Sequence, residues 1–149
     1  MSDYRSTLLW QRTTAGFDYE TYDRTHTITF GSGPSLSTSS APDYKGDPTK
    51  VNPEEMLVAA LSSCHMLTFL AVAAKKRFVV DRYEDDAVGF MEKNAAGKMA
   101  VTRAVLKPRV VFSGDKQPSA EELARLHASA HDNCFIANSV TTEVAVEPR

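Results

Sequence analysis

The chain has 149 residues, 42% of them hydrophobic, with 17 Lys and Arg against 19 Asp and Glu for a formal net charge of −2. That is the size and balance of one globular domain, able to bury about 68–70% of its unfolded surface without disulfides or a structural metal. The lack of a basic excess argues against sequence-independent nucleic-acid binding, and two cysteines are too few for a disulfide-built secreted scaffold.

Residues 1 to 30 read as strands, with Thr21, Thr25, Thr27, Ile28, Thr29 and Phe30 as β-formers and Gly31-Ser32-Gly33-Pro34 as a stop. The opening Met1-Ser2-Asp3-Tyr4-Arg5 lacks the basic-then-apolar layout of a signal peptide, so a cytoplasmic location is expected. Gly31 to Pro48 is rich in Gly, Ser and Pro and reads as a loop with room for a short strand near Leu36.

Asn52-Pro53-Glu54-Glu55 opens the strongest element. Asn52 is placed to cap it, Pro53 suits the first helical position, and Glu55 completes a capping box. The helix should run to Lys75-Lys76-Arg77, cations that suit the negative end of its dipole. Met56 to Ala74 carries no formally charged side chain and is long enough to span a membrane. Ser62, Ser63, His65 and Thr68 crowd its middle, and no aromatic belts flank it, so it is expected to lie within protein and not in lipid.

Phe78 to Met91 and Met99 to Phe112 read as two strands joined across Asn94-Ala95-Ala96-Gly97, with Pro108 marking an edge or a bulge. Ser119 and Glu122 form a second capping box, for a helix reaching about Asn133. Val140, Thr142, Val144 and Val146 alternate as a last strand. This order gives an α+β fold of antiparallel sheet around a long buried helix, in a single domain over residues 1–149. One sheet covers only one side of a helix that is apolar all round, so a homodimer with the long helices packed together is expected.

Cys64 falls mid-helix in Ser62-Ser63-Cys64-His65-Met66, and Cys134 falls just past the second helix, seventy positions on. Both could be small buried hydrophobes. The reactive alternative is a thiolate that attacks a peroxide and becomes a sulfenic acid, with a second thiol closing a disulfide. It needs a donor or cation to hold the thiolate, since an unperturbed cysteine is mostly protonated at neutral pH. An arginine suits that task, but composition does not select which one.

Asn52-Pro53-Glu54-Glu55-Met56-Leu57, Ala59-Ala60-Leu61-Ser62-Ser63-Cys64 and the later His131-Asp132-Asn133-Cys134-Phe135-Ile136-Ala137-Asn138-Ser139 together resemble the OsmC/Ohr family, the osmotically inducible protein C and organic hydroperoxide resistance proteins. The resemblance covers most of the chain. It implies an intertwined homodimer that reduces organic hydroperoxides to alcohols without metal or organic cofactor. By position it implies Cys64 as peroxidatic thiol, Cys134 as resolving thiol and Glu54 as the carboxylate that orients an arginine. Arg24 is the best match to that arginine, with Arg12 and Arg5 as other candidates. The implied partners are an organic hydroperoxide and an external dithiol, commonly a lipoyl group in the family, with no nucleic acid and no membrane.

Helix geometry adds an independent point. Ten residues of helix rise about 15 Å, so Glu54 and Cys64 cannot meet within one straight helix, and a shared site requires either that Glu54 and its arginine come from a partner chain or that the helix break. The sequence departs from the hydroperoxide-resistance branch at His65, where an aromatic often follows the cysteine. His65 projects about 100° away from Cys64 and reads as a hydrogen-bonded buried histidine. Three rival readings are a zinc site of Cys64, His127, His131 and Cys134, a hydrolase pairing Cys64 with His127 or His131, and an apolar-ligand-binding dimer without turnover.

Overall fold

The computed structural model describes residues 1–149, which divide into two compact units, residues 1–56 and 57–149. In the first unit, strands β1 (Ser6–Leu9), β2 (His26–Phe30) and β3 (Ser35–Thr38) form an antiparallel sheet in the order β1-β2-β3. Only part of residues 1 to 30 is strand. Residues between β1 and β2 instead gather an aromatic cluster, in which Trp10, Phe17 and Tyr22 lie 5.1 to 6.2 Å apart by ring centroid. The short strand near Leu36 is β3, joined to β2 by a turn in which Gly33 takes φ 111°.

Helix α1 (Pro53–Lys75) begins as its sequence dictates. The Glu55 N–H donates to Asn52 Oδ1 at 2.9 Å and the Asn52 N–H donates to Glu55 Oε2 at 3.1 Å, which closes the capping box. Its far end is a left-handed cap with Arg77 at φ 63°. The Arg77 N–H reaches the Ala74 carbonyl and the Phe78 N–H reaches the Ala73 carbonyl, which satisfies the last turn and turns Phe78 into the core.

In the second unit α1 buries one stripe, Leu61, His65, Phe69 and Ala73, at the four-residue spacing of a single helix face. Ala59, Ser63, Leu67 and Ala71 face outward within the single chain, with Leu67 60% exposed. The helix is long and apolar enough to cross a membrane by length and composition, but its buried stripe is packed in protein. Helix α2 (Ala120–Asp132) carries the expected capping box of Ser119 and Glu122 and buries Leu126, His127 and Ala130. Phe69, Ala73, Phe78, Leu126 and Ala130 form the core, and fully burying a ring such as Phe69 stabilises by roughly 1.5–3 kcal/mol.

The two long strands expected after α1 are four. β4 (Val79–Glu84) and β5 (Val88–Lys93) part at Asp85, while β6 (Met99–Leu106) and β7 (Arg109–Ser113) part at Pro108, which has no N–H for a ladder. Asp85 ties the two breaks together by accepting from the Lys107 N–H at 2.6 Å and from Ser62 Oγ on α1 at 2.5 Å. β4 pairs with β7, and β5 pairs with β6 across the Asn94–Gly97 turn, both antiparallel. The last strand, β8 (Glu143–Val146), runs parallel to β6 and departs from the all-antiparallel expectation. Parallel pairing needs a crossover, and α2 supplies it. The result is α+β, as expected, with eight strands in three small sheets.

Candidate active site

Helix α1 holds Cys64 half-buried, and the turn that leaves α2 holds Cys134 only 1% exposed. Both thiols are free, and Cys134 stands close enough to donate its hydrogen to the Cys64 sulfur. Residues seventy positions apart are thereby brought together.

Their ionisations are pulled in opposite directions. For Cys64 the largest influence is burial, which favours the neutral thiol. It is outweighed by donors to the sulfur from the Ile136 main-chain N–H, the Cys134 thiol, the Phe135 main-chain N–H and the Thr68 hydroxyl, and the pKa falls below the ordinary thiol value. All four donors are neutral. For Cys134 burial raises the pKa, and donation to Cys64 adds to it. The Ala137 N–H, 3.4 Å from its sulfur, opposes this without reversing it. The two sulfurs are therefore biased apart, Cys64 toward the thiolate and Cys134 toward the thiol.

The turn after α2 produces this arrangement from its own hydrogen bonding. The Asn138 N–H donates to the Cys134 carbonyl at 3.0 Å and the Ser139 hydroxyl to the Phe135 carbonyl at 2.7 Å, so the carbonyls are engaged away from the sulfur. The N–H groups of Phe135 and Ile136 then turn to Cys64. On α1, the Thr68 hydroxyl, one turn beyond Cys64, shares its single hydrogen between the Cys64 sulfur and the Cys64 carbonyl, which lies 2.9 Å away.

The remaining expected site residues belong to the first unit. Glu54, in the first turn of α1, has Oε2 buried without a hydrogen-bond partner. The Arg24 guanidinium sits 3.7 Å from the centroid of the Tyr22 ring and donates to the Tyr22 carbonyl at 2.5 Å and to the Tyr19 carbonyl. With Leu8, Trp10, Phe17, Tyr22 and His26 it lines a pocket of about 390 Å³. The other candidate arginines are engaged elsewhere, Arg5 with the exposed Asp3 at 2.6 Å and Arg12 with the Thr14 and Ala15 carbonyls.

His65 is buried, and its Nε2 lies 3.0 Å from Nδ1 of His127, as its reading as a hydrogen-bonded core histidine required. The zinc reading and the His127 half of the hydrolase reading are corrected. No three His, Cys, Asp or Glu side chains are grouped to hold a metal, so Cys64, His127, His131 and Cys134 do not form the zinc site their residue types allowed. His127 turns its Nδ1 to His65 and not to a sulfur, which removes it as partner base for Cys64. Phe135, Ile136 and Thr68 were not legible as site residues, because two act through main-chain N–H groups that any residue but proline carries.

A family model described as OsmC-like protein matches residues 46–149. Among solved structures, an OsmC-like protein of unknown function from Vibrio cholerae is 46% identical and superposes with a TM-score of 0.95, each chain covering 100% of the other. An organic hydroperoxide resistance protein from Elizabethkingia anophelis, with thiocyanate bound, shares the fold at 15% identity and a TM-score of 0.71, covering 99% of this chain and 94% of its own. The organic hydroperoxide resistance protein OhrB of Bacillus subtilis does so at 18% identity and 0.67, covering 99% and 98%. No curated protein sequence matches the chain. With this fold and with the family match over more than half its length, the chain belongs to the OsmC-like protein family.

Proposed function

We propose that this protein is a thiol-dependent peroxidase that reduces organic hydroperoxides to alcohols in the cytoplasm. The observation that carries the reading is the opposite bias of two adjacent sulfurs, with Cys64 drawn toward thiolate and Cys134 held as thiol. A nucleophile must be ionised to attack, and a resolving thiol must not compete with it for the first blow. The names of the distant relatives from Elizabethkingia anophelis and Bacillus subtilis point to the same substrate class.

In the proposed cycle the Cys64 thiolate attacks the distal peroxide oxygen. The S–O bond forms, the O–O bond breaks, and the alkoxide leaves and takes up a proton as the alcohol. Cys134 then attacks the sulfenic sulfur, the disulfide forms, and hydroxide leaves with the Cys134 proton as water. An external dithiol such as a lipoyl group reopens the disulfide and is itself oxidised.

Arg24 and Glu54 complete the proposed site. Glu54 Oε2 is buried and unpaired within the chain, a costly state for a carboxylate unless a cation meets it. Arg24 uses one N–H on each terminal nitrogen for carbonyls, which leaves other donors of its fork for a carboxylate or a peroxide oxygen. In our reading they serve the Cys64 of a second copy. The outward stripe of Ala59, Ser63, Leu67 and Ala71 supports a homodimer, since it leaves one face of an apolar helix uncovered.

Steady-state rates with cumene hydroperoxide against hydrogen peroxide, with dihydrolipoamide as donor, test the proposal. Cys64→Ser abolishes reduction, and Cys134→Ser allows one turnover before over-oxidation. Equal activity in all three proteins would reject it.

A further inference from the structure

Two buried imidazoles stand outside this chemistry. His65 follows Cys64 on α1, and His127 lies on α2 seven positions before Cys134, so each belongs to the element that carries or delivers one sulfur. The two rings lie 7° from parallel with centroids 5.4 Å apart. Joined by the 3.0 Å contact from Nε2 to Nδ1, they meet edge to edge and not face to face. Phe69 closes over His127 at 4.4 Å between centroids. The two histidines are 1% and 4% exposed.

Polar rings in a core cost stability that phenyl rings would not. What they add is direction. Phe69 and Ala73 on α1 belong to one apolar core with Leu126 and Ala130 on α2, and apolar packing alone tolerates sliding. A hydrogen bond between two rigid rings fixes one height and one rotation. The Cys64 sulfur depends on that register, because the Cys134 thiol and the Phe135 and Ile136 N–H groups all arrive on the segment leaving α2.

We infer that the His65–His127 bond is a positioning link, setting α1 against α2 so that Cys134 and the main-chain donors behind it reach the Cys64 sulfur. Neither histidine touches the reacting atoms. The link rests on the peroxidase reading for what the couple is used for, but its geometry can be tested without a peroxide.

The test compares His127→Phe, which keeps the ring but removes the bond, with His127→Asn, which keeps a polar atom where Nδ1 stands. Thiolate absorbance across pH reads the Cys64 pKa. Diamide, which takes up two electrons and two protons as the two thiols become one disulfide, reads closure. His127→Phe should raise the Cys64 pKa by about one unit and slow closure about tenfold, a matched pair of effects because one unit is a factor of ten in ionisation. His127→Asn should stay within about twofold of the parent if the bond is what matters. A folded His127→Phe protein with native pKa and closure overturns the link, as does an Asn variant impaired equally. Should His127→Phe not fold, H65F/H127F decides, since it buries no unpaired nitrogen, and native values there also overturn the link. An intact histidine effect in a chain that consumes no cumene hydroperoxide would sink the peroxidase reading alone. Peroxide turnover with no histidine effect would sink this link alone.

Discussion

Cys134 stands beside the sulfur of Cys64, and its thiol joins the Ile136 main-chain N–H in lowering the pKa of the first-acting sulfur, while its own is raised by burial first and by Cys64 second. Much of the chemistry proposed for this chain follows from it.

Removing the donor should therefore weaken the nucleophile. Cys134→Ala is expected to raise the Cys64 pKa, because burial remains while one of four donors is lost. Titration of thiolate absorbance and the pH dependence of iodoacetamide labelling check this, and an unmoved curve would mean that the main-chain donors suffice.

Arg24→Ala and Glu54→Gln should each slow hydroperoxide reduction by about 10²–10³-fold, the range found when a single charge-stabilising donor is removed from a reacting centre. Folding should survive in both, as Arg24 bonds only local carbonyls. An unchanged rate in Arg24→Ala would transfer the role to Arg12 or Arg5.

Stability should fall in mild acid. Burial holds both His65 and His127 down at a pKa of about 4, against an ordinary value near 6.5, with mutual proximity among the histidines adding to it and Asp85 opposing. The unfolded chain then binds more protons between those limits, so stability rises with pH through the window and is lost as pH drops from about 6.5 toward 4. The slope is about 1.4 kcal/mol per pH unit for each histidine at most. Urea midpoints between pH 7.5 and 4.5 measure it, and His127→Asn should flatten the curve.

Gly46→Ala should destabilise the loop after β3. A Cβ at Gly46 would stand 1.5 Å from the Ser40 carbonyl oxygen, backbone that cannot rotate aside. Overpacking of this kind costs about 1–3 kcal/mol, visible as a thermal midpoint several degrees lower.

The helices were legible because their ends are written in side chains. Asn52 with Glu55 and Ser119 with Glu122 form the capping boxes their spacing predicts. The strands were less so. Glu84-Asp85-Asp86 interrupt the hydrophobic pattern of Phe78 to Met91, but the bend at Asp85 is fixed by partners on α1 and beside Pro108 that only the folded chain supplies. The parallel pairing of β8 is likewise a property of the crossover and not of its four residues. The cysteines could be found from their flanking motifs, but the groups that make Cys64 acidic could not, since two of them are peptide N–H groups.

Those peptide donors have an evolutionary corollary. Side chains at Phe135 and Ile136 can drift widely while the thiolate keeps its support, because every ordinary amino acid brings the same amide to that turn. Only an imino acid would strip it away, so a proline at either place should mark relatives in which this sulfur has retired from nucleophilic duty.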